Sequence, residues 1–144
     1  MPVLILAAVT LANAALSALV LLRSRKALAN RLFALVALSA AGWTGTNALF
    51  QSTDSVAVAM MAAQASSAAS LLMSAAFLHF SWVYPLRTPG SRSRIRVCVL
   101  WTAALLLVLL SFVPGAVDRS VDLAGTHRIV TGWGFYLVAL FLLL

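Results

Sequence analysis

Residues 2–22 run for 21 positions without one charged side chain. As a helix rising 1.5 Å per residue, this run is about 31 Å long, enough to cross a hydrocarbon core of about 30 Å. Comparable apolar runs recur at about 32–50, 56–83, 97–113 and 129–144, separated by short polar or basic connectors. Runs of that length exclude most soluble folds, because the solvent for most of their side chains must be lipid. Composition agrees. The chain is 63% apolar and 9% charged, against about 45–50% and about 25% in ordinary globular domains. So few charges could not cover a water-facing surface. The expected class is all-α, a polytopic membrane helix bundle of about five transmembrane helices.

The formal charge of +7 invites a nucleic-acid reading, but the cations do not lie on one folded face. They sit in connectors between apolar runs, where they set topology. No nucleic-acid partner is expected. Residues 23–31 and 84–96 hold eight of the ten basic residues and no acid. The connectors on the other side hold the remaining two, Arg119 and Arg128, with all three acids, Asp54, Asp118 and Asp122. The positive-inside rule then puts both basic loops in the cytoplasm and the N-terminus outside. Ala12-Asn13-Ala14 looks like a small-residue cleavage site. However, no Lys or Arg precedes the first run and a basic cluster follows it, the reverse of a secretory signal. The first run therefore reads as a retained helix. The last run, 16 residues or about 24 Å, is short for a span, so the protein is expected to continue beyond it. Cys98 is alone in the chain and cannot form an internal disulfide. It reads as a small apolar filler at a helix start.

Polar and small residues inside the runs have helical spacing. Thr10, Asn13 and Ser17 share one face of the first run. Lipid cannot satisfy an amide, so this face should turn toward other helices. Ser39, Gly42 and Thr46 form a small-residue stripe on the second run, suited to close packing against the first or third. Ser66, Ser70 and Ser74 repeat every four residues on the third, a small-xxx-small pattern. That run closes with Phe80, Trp82 and Tyr84, which read as an interfacial aromatic belt. Pro85 and Pro89-Gly90 break the chain before the fourth run, and Pro114-Gly115 ends it.

The second run and its basic approach carry the most recognisable pattern. Asn30-Arg31-x-Phe33, followed by an apolar stretch through Ser39 to Trp43, resembles the N-terminal seven-helix membrane region of bacterial sensor histidine kinases. Phe77-Leu78-His79-Phe80 with Tyr84, and Thr131-Gly132-Trp133-Gly134-Phe135-Tyr136 leading into another span, are similar to the same family. The resemblance covers most of the chain. It implies an input module in the bacterial inner membrane, made of about the first five of seven helices. Its partners would be the lipid bilayer, a cytoplasmic kinase or diguanylate cyclase domain of the parent chain, and a second copy in a homodimer. The chain has no ATP-binding glycine box and no context for a phospho-acceptor histidine, so it is not expected to be an enzyme by itself.

No catalytic set, metal site or cofactor is expected. His79, the one histidine within a span, has no His, Cys or acid at i+3 or i+4. It reads as an interface histidine near the cytoplasmic edge. His127 lies in an outer connector beside Arg128. Asn13, Asn47 and Gln64 are the amides within spans. They are the candidate ligand-binding residues, lining an outward-opening cavity for a small or lipophilic signal, with helix–helix hydrogen bonding as the plainer alternative. The rival to a sensor module is a fragment of a transporter or a membrane scaffold. The lack of any acid or lysine within the spans disfavours an ion-coupled pump.

Overall fold

A computed structural model of the chain describes residues 2–23, 26–84 and 91–113. They form four helices: α1 (Pro2–Arg23), α2 (Leu28–Ser52), α3 (Val56–Val83) and α4 (Ser91–Leu110). The expected fifth span at 129–144 and the connector 116–128 lie outside the described residues. α1, α2 and α3 are long and apolar enough to cross a membrane.

Two helices start earlier than the apolar runs suggest. α2 begins at Leu28 rather than residue 32, and α4 at Ser91 rather than residue 97. Arginine is a good helix former, and its long stem lets the charge reach water while the backbone stays helical. A basic residue beside a span therefore marks the membrane boundary, not the helix boundary. At its other end α4 stops at Leu110. Phe112 and Val113 donate to the carbonyls of Leu109 and Leu110 at 3.1 Å, closing tight three-residue turns. The following Pro114 disfavours helical geometry for Val113. Because α4 starts early, Cys98 lies inside the helix and exposed, not as a filler at its start.

Neighbouring helices pack antiparallel in chain order, α1 on α2, α2 on α3, and α3 on α4. Three residues, Thr53–Ser55, turn α2 into α3, with the Ser55 amide donating to Thr53 Oγ1 at 3.2 Å. The pairings fix the register. Thr10 and Ser17 of α1 meet Thr44 and Ala34 of α2. Asn47 and Phe33 of α2 meet Ser66 and Phe80 of α3. His79 of α3 meets Trp101 of α4.

The core reverses that of a water-soluble bundle. Apart from Leu32, Leu71 and Leu100, every fully buried apolar residue described is alanine. Large side chains face outward instead, Leu4, Leu11, Leu19 and Leu22 on α1 among them. Lipid tails are as apolar as leucine, so in a bilayer nothing drives leucine inward. Helices associate there through small residues that let backbones approach. Exposed leucines around buried alanine seams are the pattern expected of helices packed against one another in a bilayer.

α2 lies between two partners and uses a different seam for each. Gly42, from the expected stripe, faces α3, where a Cβ would sit 3.6 Å from that of Ala69. Ser39 of the same stripe is buried. Thr46 donates to its own helix, to the carbonyls of Gly42 and Trp43 at 2.8 and 3.1 Å. The second seam holds Ala34, Thr44 and Gly45 against α1. On α3 the buried surface is chiefly alanine, with Ala59, Ala62 and Ala63 ahead of Ser66. Ser70 and Ser74 are half-buried and donate to the carbonyls of Ser67 and Ser70 at 2.8 and 2.9 Å, so the serine repeat is not the main seam.

The aromatic end of α3 also divides. Phe80 and Tyr84, four residues apart and on one face, stack with centroids 5.7 Å apart and planes 9° apart. Trp82, about 160° around the helix from either, leaves that group. It packs with Leu78 and Trp101 against Ala75, Leu100 and Ala104 in the α3–α4 contact.

Candidate functional site

Polar side chains inside an apolar bundle are the natural candidates for function, and here they bridge adjacent helices. Thr10 Oγ1 donates to the Leu6 carbonyl at 2.8 Å and lies 2.8 Å from Thr44 Oγ1. Thr44 in turn reaches the carbonyls of Ala40 and Ala41 at 3.0 and 3.2 Å. About two helical turns nearer the basic end, the buried Ser17 hydroxyl donates to the Ala34 carbonyl at 2.9 Å. Two of the three polar positions on the α1 face thus turn toward α2 as expected. Asn13 is half-buried on the same side of α1, and its Nδ2 donates to the Val9 carbonyl of its own helix at 3.0 Å.

Asn47 makes the polar link between α2 and α3. Its Nδ2 donates to the Trp43 carbonyl at 2.7 Å and to Ser66 Oγ at 3.0 Å. The first bond holds the amide along α2, and the second ties it to a buried hydroxyl of α3. Gln64 is half-buried, but it lies about 160° around α3 from Ser66, so the helix turns its amide away from Asn47. The three candidate amides therefore occupy separate surroundings: Asn13 on α1, Asn47 in the α2–α3 seam, and Gln64 on another face of α3.

The link between α3 and α4 is aromatic. Trp101 Nε1 donates to His79 Nδ1 at 3.1 Å, with the rings edge-on, 75° between planes and 6.1 Å between centroids. Accepting at Nδ1 requires that nitrogen to be unprotonated, which leaves Nε2 as the donor of the neutral ring. A search for sequence neighbours could not find this pair, because Trp101 is 22 residues from His79. A tryptophan indole has one donor and no acceptor, and its need for an acceptor inside an apolar helix was the only signal available. Among the described residues, no group of three His, Cys, Asp or Glu side chains could hold a metal ion.

Together these contacts are neutral and directional, two between α1 and α2 and one for each of the other pairs, with no ionisable acid or lysine among them. They hold the helices in register. Their energies are modest. Interhelical hydrogen bonds in membrane proteins average about 0.6 kcal/mol and reach about 1.7. A double-mutant cycle with Asn47→Ala and Ser66→Ala is expected to give a coupling of about 0.6–1.7 kcal/mol. Reversible unfolding in mixed micelles measures it, and additive effects would mean that the two side chains do not share a bond.

Comparison with protein-family profiles, curated proteins and solved structures finds no match to the chain.

Proposed function

We propose that the chain is the membrane-embedded input module of a bacterial sensor protein of the two-component histidine kinase type. In this reading it crosses the inner membrane about five times from an outer N-terminus, and passes a signal to a cytoplasmic output domain in the same polypeptide. The observation that carries the reading is the kind of contact between helices. Small-residue seams fastened by only one or two neutral hydrogen bonds each, at Thr10–Thr44, Ser17–Ala34, Asn47–Ser66 and Trp101–His79, suit helices that shift between two closely matched packings. A signal drives such a shift only if it contacts the two arrangements differently. Asn47 is the amide best placed for that, since a ligand that competed for Nδ2 would remove the polar link between α2 and α3 and leave their apolar seam free to shift. Asn13 and Gln64, each outside the bridging seam, would contact a signal on other faces of the bundle. The resemblance around Asn30-Arg31-x-Phe33 and Phe77-Leu78-His79-Phe80 supports the family assignment.

The reading frame beyond Leu144 tests the output assignment. A soluble kinase or cyclase domain downstream agrees with it. Further paired spans with a short tail, or a stop directly after Leu144, contradict it and favour a transporter or scaffold. For the ligand role, an Asn13→Leu, Gln64→Leu double variant that folds normally and signals normally removes both residues from the site.

A further inference from the structure

Of the two rings that join α3 to α4, only one can change its hydrogen-bonding sense. The Trp101 indole donates to His79 Nδ1 at 3.1 Å, and an indole has no acceptor to offer. The imidazole accepts only while it is neutral. A proton taken from water onto Nδ1 leaves the Nε2 proton in place and makes both ring nitrogens donors. Two N–H groups would then face each other across the same short distance, and the bond is lost. The ring geometry gives no substitute. The indole turns its N–H edge to the imidazole, with 75° between the planes. That edge is the positive rim of its quadrupole, so it repels a ring that has become a cation.

The pair is placed where a proton can arrive and where its arrival matters. His79 stands four residues before the end of α3 at Val83, about 6 Å along the axis, and both rings are half-buried. On the helices packed against α3, the described titratable and charged groups at this end are Arg31 of α2 and Arg94, Arg96 and Cys98 of α4. Lys26 precedes α2, and Tyr84 follows on α3 itself. Trp101 has a second task. With Leu78 and Trp82 it packs against Ala75, Leu100 and Ala104, the buried centre of the α3–α4 contact. An indole pushed off His79 therefore also disturbs the packing that holds α4. We propose that His79 is a proton-responsive latch: the neutral ring holds Trp101 and fixes α4 against α3, and the protonated ring expels the indole and frees α4 to shift. The inference stands on this contact and does not need the sensor reading.

The test is nuclear magnetic resonance of the 144-residue chain in phosphatidylcholine nanodiscs, isotopically labelled at the nitrogens of tryptophan and histidine. The indole signal missing from Trp101→Phe assigns Trp101, and the imidazole signals missing from His79→Asn assign His79. As the pH falls from about 8 to about 5, the range in which histidine changes charge, the His79 nitrogens should move to their charged positions. The Trp101 N–H should lose its hydrogen-bonded shift in the same one-proton step, while the Trp43 indole stays in place. In His79→Asn, whose side-chain carbonyl accepts a hydrogen bond but takes up no proton, the Trp101 signal should not respond to pH. His127→Asn should keep the whole response, which assigns the step to His79 even if the first variant does not fold. Three results overturn the latch: a Trp101 signal that stays put while His79 takes up its proton, a His79 ring still neutral at about pH 5, or an equal Trp101 shift in His79→Asn.

Discussion

Leu11→Arg is expected to cost about 3–4 kcal/mol in membrane insertion of α1, from the difference between leucine and arginine at the centre of a spanning helix. Leu11 lies near the middle of Pro2–Arg23 and is 71% exposed. On a water-soluble bundle, a charge at so exposed a site would change stability by less than about 0.5 kcal/mol. The same substitution therefore separates the two solvents by a wide margin. Leu22→Arg is the control. Leu22 is equally open but adjoins Arg23 at the basic end, where an arginine head reaches the interface, so a small effect is expected. The fraction of chain that resists alkaline extraction from membranes reports both. Equal retention of the Leu11 and Leu22 variants would mean that α1 does not face hydrocarbon.

The second large effect concerns the α1–α2 seam. Two glycines of α2 look alike in sequence but not in their surroundings. A Cβ on Gly42 would meet Ala69 Cβ at 3.6 Å, an ordinary contact. Gly42→Ala is accordingly expected to stabilise α2, by up to about 1 kcal/mol from helix propensity. A Cβ on Gly45 would come within 3.3 Å of Thr10 Cγ2, and Thr10 cannot yield easily. Its Oγ1 is held by the Leu6 carbonyl and by Thr44. Gly45→Leu is expected to cost about 3 kcal/mol, the upper part of the range for overpacking, or to lift α1 off α2. Gly45→Ala should also lose stability, and Thr10→Ser, which removes the obstructing methyl and keeps the hydroxyl, should restore it. Unfolding of the four combinations in mixed micelles checks this. A Gly45→Ala loss unaffected by Thr10→Ser would place the strain elsewhere.

These glycines mark where sequence reasoning stopped. Charge-free runs located α1 and α3 closely, because lipid sets both their length and their composition. The starts of α2 and α4 were less legible, since Arg31, Arg94 and Arg96 belong to the helices themselves rather than to the connectors. The stripe Ser39–Gly42–Thr46 was visible through its own periodicity, and Gly42 does pack on α3. The opposing seam was not. Thr44 lies about 160° around α2 from Gly42, and a helix with partners on both sides has no single polar face to find. Buried alanines such as Ala59 and Ala63 were equally silent, since the chain has alanine on every face of its helices. Asn47 was legible as an amide in a span, but nothing in the Ser66–Ser70–Ser74 repeat marks its partner Ser66 as an acceptor. Trp101 with His79 was beyond reach, because only the α3–α4 register brings them together.

The most direct test of the account is the accessibility of single cysteines to a membrane-impermeant maleimide in intact cells expressing the chain. Cys98 is first replaced by serine, and one cysteine is then introduced at Asp54, Lys26 or Leu11 in turn. The bundle proposed here predicts labelling of Asp54→Cys from outside and of Lys26→Cys only after the membrane is opened. Leu11→Cys should resist labelling under both conditions despite its exposure on the bundle. Labelling of Lys26→Cys in intact cells would reverse the orientation. Rapid labelling of Leu11→Cys in opened cells would contradict the central claim that the exposed leucines of these helices face lipid.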